Sequence, residues 1–362
     1  MGGTADGKET AMPAPPPLPG ANTIGGTMGI FRRSPGAAAS HTEAIARFWE
    51  WWPQARRRLD GALPADIADE MSAHVEAIHK DLEWEIGPGP GLTVSGGGVD
   101  ELRGIAERWR LGAPKDDNWH YRAARPADPA MLSGKLQLDE HEFDLEYVRM
   151  GLRADAARAR VDVTSYHPDF LFVPDETRLA LTYRVLDWAL GEDDVARWVG
   201  EVTTVADEPM DALPPSMLPT VVEQIAAPFG EAAWLVGEGR TPLNHAARVA
   251  VRFPLHRQDY PLCELYISVT LPYASANPDR LPVEPSASRL REFEEAVEVL
   301  GTRAVLAAHE TGDGRRVLHL YADPASGAVA ELDQLAASWS EGRAKVTAQP
   351  DPAWAALAPY RP

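Results

Sequence analysis

The sequence predicts an α+β protein built of two sheet–helix domains behind a helical hairpin. Polar and apolar residues alternate over short segments in both halves, which is typical of half-buried strands. Apolar residues recur at helical spacing between those segments. The 362 residues, 44% of them hydrophobic, suffice for two domains, since a domain usually has about 100–200 residues.

The N-terminal segment predicts no fold of its own. Residues 1–40 contain six Pro and eight Gly and almost no large apolar residue. Such a stretch cannot bury enough apolar surface to offset its ordering entropy, so a disordered tail is expected. Met28 is an alternative start, in which case residues 1–27 are an upstream extension of the reading frame.

The first domain is predicted over residues 41–206 and opens with the helical hairpin. Ile45, Phe48, Trp49 and Trp52 share one face of a helix from His41, and a second helix runs over residues 65–81. Another helix is expected around residues 102–109 and a long one over residues 176–199, with a break or kink at Gly191. Strands are predicted at residues 82–86, 92–95, 119–125, 145–153, 160–166 and 201–205.

The second domain is predicted over residues 231–362, after a linker and bridging helix at residues 207–230. Alternating residues 249–255 and 265–271 are expected to form an antiparallel pair. From Leu265 the order is β-α-β-β-α-β, with a hairpin at Thr311-Gly312-Asp313-Gly314. This is the ferredoxin-like (split βαβ) pattern. The first half shows a similar order, so two ferredoxin-like domains are predicted.

Charge and composition exclude several classes of protein. The chain has 35 Lys+Arg against 54 Asp+Glu, a formal charge of -19, which repels nucleic-acid phosphates and anionic membranes. A single cysteine, Cys263, permits no disulfide within the chain. No secretory signal or membrane span is evident. We therefore expect a cytoplasmic protein, and the Ala-, Arg-, Pro- and Gly-rich usage suggests a GC-rich bacterial genome.

No motif predicts catalysis or a cofactor. Ser95-Gly96-Gly97-Gly98 precedes a helix, but Asp100 and Glu101 follow where a phosphate loop carries Lys and Ser or Thr. A helix-entry loop is favoured, because those carboxylates repel an anion. No Gly-x-Ser-x-Gly elbow is present. Cys263 reads as a buried small residue.

Metal binding is also disfavoured. Glu70 and His74, and Glu76 and His79, are spaced to share a metal on one helix. A bundle site needs a second pair of this kind on a facing helix, and the sequence offers none. A solvated helix face is the favoured interpretation, and no metal site is predicted.

Two features are candidates for binding a partner. Trp51 points away from the apolar stripe of its helix, and an exposed Trp is a frequent contact anchor. The acidic run Glu192, Asp193 and Asp194 could meet a basic surface. The alternatives are that the second helix or a strand covers Trp51, which is favoured, and that the acidic run is solvated.

Several short motifs carry a family resemblance. They are the runs at residues 265–272, 290–294, 311–316, 318–323 and 350–354, together with 189–195 and Val199-Gly200 upstream. The C-terminal half with these motifs resembles bacterial domain-of-unknown-function family 695, and the first half resembles its usual upstream partner region. The resemblance implies no established activity and no catalytic residues. Its relatives look like small regulatory, interaction or toxin-neutralising proteins.

The expected function is therefore non-catalytic binding of another protein, in a regulatory or toxin-neutralising role, and the acidic charge is suited to a basic partner. The alternative is an enzyme whose site lies at the domain interface and is built from residues distant in sequence. RNA binding on the sheet face is a third reading, which the charge of -19 disfavours. No catalytic residues are assigned.

Overall fold

The computed structural model describes residues 35–59, 63–87, 90–116, 118–230 and 232–361. It is an α+β structure, as predicted. The predicted extension at residues 1–27, and the rest of the expected tail as far as residue 34, lie outside the described residues. Its helices are α1 (Pro35–Ala55), α2 (Ala65–Ile78), α3 (Asp100–Leu111), α4 (Asp175–Leu190), α5 (Glu192–Trp198), α6 (Leu218–Ala226), α7 (Ser286–Glu298) and α8 (Ala328–Ala337).

The strands among the described residues form four separate sheets. Those of the first half are β1 (Glu83–Gly87), β2 (Gly91–Ser95), β3 (His120–Arg122), β4 (Lys135–Leu138), β5 (His141–Asp144), β6 (Arg149–Asp155), β7 (Arg160–Tyr166) and β8 (Val199–Val205). Those of the second half are β9 (Ala233–Arg240), β10 (Ala246–Phe253), β11 (Leu265–Pro272), β12 (Ala304–Gly312), β13 (Arg315–Ala322) and β14 (Lys345–Pro350). No helix in the described ranges is long and apolar enough to cross a bilayer.

The first hydrophobic core joins the helical hairpin to the sheet β1-β2-β3. The predicted apolar stripe of α1 is buried in it, and Phe48 and Trp52 are fully enclosed. Trp49 stacks on Trp109 of α3 and donates a hydrogen bond from Nε1 to the Trp109 carbonyl oxygen at 2.8 Å. Packing of these large aromatic side chains holds α1 and α3 against each other.

The second core lies between the sheet β6-β7-β8 and helices α4 and α6. Gly191 has a φ of +83°, which favours glycine, and it separates α4 from α5. The long helix predicted over residues 176–199 is thus two helices. Within the predicted linker, Leu218 and Val222 of α6 are buried in this core.

The first half differs from the single sheet expected for a ferredoxin-like domain. Its described strands lie in the sheets β1-β2-β3 and β6-β7-β8 and in the hairpin β4-β5. Alternation of polar and apolar residues predicts that a segment is a strand, because it reports burial of one face. It does not predict which strand lies beside it, since any strand with an apolar face satisfies the same pattern.

The second half forms one six-stranded antiparallel sheet with the order β14-β11-β13-β12-β10-β9. The predicted pairing of residues 249–255 with 265–271 is wrong, because β13 and β12 lie between β10 and β11. The tight turn at Asp313-Gly314, with φ values of +50° and +79°, joins β12 to β13. Strand β13 of this local hairpin, and not β10, therefore pairs with β11.

Different elements pack on the two faces of this sheet. Helices α7 and α8 pack on one face around a core that includes Ile267, Phe293 and Leu320. The C-terminal segment, residues 351–361, packs on the other face, where Trp354 is fully buried and stacks on Tyr321. The C-terminal segment therefore completes the second domain.

Ion pairs join the two halves of the chain. Arg108 of α3 places Nη1 2.8 Å from Glu264 Oε2, and Arg197 of α5 places Nη2 2.8 Å from Asp259 Oδ1. Gly104 lies so close to the Glu264 carboxylate that a side chain at residue 104 would collide with it. Helices α3 and α5 thus dock the first half onto the loop before β11.

Candidate functional site

The candidate site is a cleft of about 490 Å³ between the two halves of the chain. One wall comes from the start of β7 and the junction of α5 and β8. The other comes from the segment after β10 and from the C-terminal segment. The lining includes seven charged or titratable residues: Asp100, Arg158, Arg160, Arg252, His256, Arg257 and Arg361. A protein with a net charge of -19 therefore contains a basic cleft.

Arg257 is the most deeply placed cation in the cleft. It is 4% exposed and lies in a single 3₁₀ turn, Arg257–Asp259. Its Nε donates a hydrogen bond to the Pro352 carbonyl oxygen. Both terminal nitrogens, Nη1 and Nη2, are buried without an acceptor among the described residues. Burial lowers the pKa of Arg257, but an arginine in a protein stays charged.

Arg160 holds a second guanidinium at the cleft wall. Its Nη1 donates to the carbonyl oxygens of Ala196 at 2.7 Å and Val199 at 3.2 Å, which fixes the side chain against the end of α5. Burial lowers the pKa of Arg160, and the positive charges of Arg361 and Arg158 lower it further. These cations are therefore close enough to repel one another.

The five arginines of the cleft are not equally free to bind a ligand. Arg252 is paired, with Nη2 3.8 Å from Glu298 Oε1. Arg158 is paired, with Nε 2.7 Å from Asp155 Oδ2 and Nη2 3.1 Å from Asp162 Oδ2. Arg361 is exposed and has no side-chain ion pair in the described part of the chain. Arg257, Arg160 and Arg361 therefore supply the positive charge that a ligand can meet.

Two further groups in the cleft have perturbed pKa values. Burial raises the pKa of Asp100, and the charges of Arg257, Arg361 and Arg160 oppose that rise. Burial lowers the pKa of His256 to about 4, so this imidazole is neutral at pH 7. The His256 ring packs on Trp198 with 4.7 Å between centroids, and its Nε2 is buried with no partner among the described residues.

This arrangement is suited to holding an anion. Guanidinium groups present paired N–H donors that match the oxygens of phosphate and carboxylate. The described lining contains no Ser, Thr, Cys, Tyr or Lys side chain that could act as a nucleophile. The cleft thus offers positive charge and hydrogen-bond donors, with Asp100 as its acidic group.

Trp51, a predicted partner contact, lies outside the cleft. It is half-buried, its Nε1 donates to Glu70 Oε2 at 2.9 Å, and its ring stacks on His74 at 4.3 Å. Helix α2 therefore covers much of this side chain. Glu70 also pairs with Arg58, so Glu70 and His74, one of the pairs considered for a metal site, make other contacts. No group of metal-ligating side chains is found in the described ranges.

The predicted acidic run makes contacts within the chain. Glu192 is 5% exposed and accepts hydrogen bonds from the backbone N–H of Gly98 at 3.0 Å and of Arg125 at 3.1 Å. Asp193 accepts two hydrogen bonds from Arg103, both 3.0 Å long. Asp194 pairs with Arg197 at 2.8 Å. These carboxylates thus neutralise arginines of the chain itself.

Local sequence signals did not predict the cleft. Arg158 lies just before β7 and Arg160 is its first residue, whereas Arg257 and Arg361 lie in the second half, so the four form no compact basic motif. The one nearby signal was the glycine run before α3, because Gly98 and Asp100 both line the cleft. The backbone N–H of Gly98 is bound to Glu192 and that of Gly97 to Ser95 Oγ, so neither is free to bind a ligand.

Comparison with known proteins gives a family match for part of the second half. Residues 244–359 match the model of a family of unknown function (DUF695). The predicted resemblance is therefore confirmed for the C-terminal part, which includes His256 and Arg257. Neither the curated proteins nor the solved structures give a match.

Proposed function

We propose that this protein, whose residues 244–359 match the DUF695 family, is a non-catalytic binding protein that holds an anionic group of its ligand in the interdomain cleft. One observation carries the proposal: Arg257 is 4% exposed, and Nη1 and Nη2 have no acceptor among the described residues. A buried charge without hydrogen-bond partners costs free energy. Asp100, Glu264 and Glu101 act electrostatically on Arg257 but accept no hydrogen bond from its terminal nitrogens. An anion bound there would add counter-charge and supply the missing acceptors.

The architecture of the second half supports a rigid site. We infer that β11-α7-β12-β13-α8-β14 is a ferredoxin-like unit, because these strands have the order β14-β11-β13-β12 and are antiparallel throughout. Strands β10 and β9 extend this sheet. The segments that carry Arg257 and Arg361 both pack on its second face, which gives the site a fixed frame.

Replacing Arg257 tests the proposal. In Arg257→Gln, affinity for inorganic pyrophosphate is expected to fall roughly 10- to 100-fold, because a hydrogen bond to a charged group contributes about 1.5–3 kcal/mol. Titration calorimetry on the full chain measures this. Arg303→Gln is the matched control, since Arg303 pairs with Glu331 on the surface and lies outside the cleft. Unchanged affinity in Arg257→Gln, or no binding by the natural protein, contradicts the proposal.

An enzyme with its site at the domain interface is the second candidate. The observation that favours it is the presence of Asp100 and His256 in the cleft. A histidine with a pKa of about 4 is a weak base at pH 7. The binding role therefore has the stronger support. A bound molecule that purifies as a mixture of substrate and product would reverse this preference.

A basic protein partner remains part of the proposal, supported by the net charge of -19. We also propose a cytoplasmic location, because Cys263 is a free cysteine and the cytosol keeps thiols reduced. If surface charge drives the contact, affinity for such a partner is expected to fall about tenfold or more between low and molar salt, because salt screens exposed charges. Surface plasmon resonance over a salt series measures this. A complex unaffected by salt excludes an electrostatic basis.

A further inference from the structure

We infer that Asp100 makes the interdomain cleft selective for an oxyanion that carries an O–H group, so that hydrogen phosphate is bound in preference to sulfate. The inference rests on the proposed anion-binding function and specifies the chemistry of the ligand. Asp100 is an acidic side chain in a site whose other charged side chains are arginines.

Asp100 lies where an anion would contact it. It is in the first turn of α3 and lines the same cavity as Arg160, Arg257 and Arg361. The carboxylate is half-buried and has no hydrogen-bond or ion-pair partner in the part of the chain that the structure describes. All four side chains line one cavity, and the charges of the three arginines act on the Asp100 carboxylate.

A carboxylate is an acceptor, which determines what it can face. Ionised Asp accepts hydrogen bonds and donates none. Sulfate at neutral pH has only acceptor oxygens, so beside Asp100 it meets like charge with no compensating bond. Hydrogen phosphate has the same charge and shape but carries one P–O–H, which can donate to the carboxylate. The arginines bind the remaining oxygens of either ion.

The other features of the cleft do not discriminate between these ions. The arginines and the partial positive charge at the start of α3 attract both dianions. Asp100 is the acidic side chain among the described residues that line the cleft. The sequence predicted that carboxylates after the glycine run repel anions, and here that repulsion becomes selective because a donor on the ligand relieves it.

The size of the cleft extends the inference to larger ligands. A volume of about 490 Å³ exceeds what one phosphate ion fills. A phosphate ester fits the same chemistry if a hydroxyl of its organic part donates to Asp100. The shared requirement is an oxyanion for the arginines and an O–H for the carboxylate.

The test compares two tetrahedral dianions of similar size, of which only hydrogen phosphate carries an O–H group. Inorganic phosphate and sulfate are titrated into the full chain at about pH 8, where both are dianions. We expect the natural protein to bind phosphate about tenfold or more tightly than sulfate, because a site with an unmatched buried polar group rejects the ligand that lacks the partner. In Asp100→Asn the sulfate affinity rises and the two affinities come within about threefold, since the neutral amide can donate.

Control variants separate this inference from the proposed function. Glu101→Gln changes an exposed neighbouring carboxylate and should keep the preference for phosphate. Asp100→Ala serves as a second variant and should also lose the preference. Equal affinities for phosphate and sulfate in the natural protein overturn the role of Asp100 alone. Binding of neither ion overturns the proposed anion site itself.

Discussion

Replacing Trp354 with alanine is expected to lower the free energy of unfolding by about 3–5 kcal/mol, the range for a fully buried aromatic side chain. Trp354 is 0% exposed and stacks on Tyr321 with 4.3 Å between ring centroids. Its Nε1 donates to the Cys263 carbonyl oxygen at 2.7 Å. The variant loses this packing and leaves a buried carbonyl without its partner. Urea unfolding followed by tryptophan fluorescence measures the loss.

The same substitution should weaken ligand binding. Trp354 anchors the C-terminal segment, in which Asp351 accepts hydrogen bonds from the backbone N–H groups of Ala355 and Ala356, both 2.9 Å long. Release of this segment withdraws Arg361 from the cleft and the Pro352 carbonyl from Arg257. Affinity for pyrophosphate is therefore expected to fall together with stability. A destabilisation below about 1 kcal/mol would show that the segment is held by other contacts.

The backbone of Trp354 provides an internal control. Its φ of +57° lies in the left-handed region, where a Cβ is unfavourable and glycine is not. Trp354→Gly is therefore expected to be no less stable than Trp354→Ala. A glycine variant that is clearly less stable than the alanine variant would mean that the left-handed conformation does not persist once the indole is removed.

Replacing Glu192 with alanine is expected to destabilise the protein by a similar amount, about 3–5 kcal/mol, because it breaks a buried charge network. The backbone N–H groups of Gly98 and Arg125 lose their acceptor. The Arg125 guanidinium, 3.9 Å from Glu192 Oε2, loses one of its neighbouring carboxylates. Chemical denaturation measures the change in the free energy of unfolding.

Asp194→Ala is the matched control, because it removes a carboxylate of the same acidic run. Asp194 is partly exposed and pairs with Arg197, so its loss should cost at most about 1 kcal/mol. Equal effects of the two substitutions would contradict the assignment of Glu192 to a buried network. A partner lost only on substitution of Glu192 would reflect unfolding, whereas a partner lost with Asp194→Ala would implicate the surface.

The sequence by itself determined most of the local elements and the family resemblance that residues 244–359 bear out. The stripe Ile45, Phe48, Trp49 and Trp52 indicated a helix with a buried face, and that face is buried in α1. Strand Arg160–Tyr166 has the bounds that alternation predicted. The turn at Asp313-Gly314 indicated a hairpin, and it joins β12 to β13. These signals depend on residues a few positions apart, so the chain carries them locally.

Two kinds of strand were not predicted from the sequence. Strand β9 is an edge strand in which all residues but Trp234 are exposed, so it has no burial pattern to report. The hairpin β4-β5 turns at Asp139, whose φ is +53°. Asp139 begins the acidic run Asp139-Glu140-His141-Glu142, which did not indicate a turn. The place of β10 beside β12 was decided by the whole sheet, because strand order depends on which faces must be buried together.

Only the tertiary structure decided the cleft and the state of its groups. Arg160, Arg257 and Arg361 are far apart in the chain and meet because α3 and α5 dock the first half onto the second. Glu192 is buried and not solvated, because the packing of the chain places it against Gly98 and Arg125. Residue type gives a side chain its charge, but burial and neighbours decide whether that charge is solvated, paired or available to a ligand.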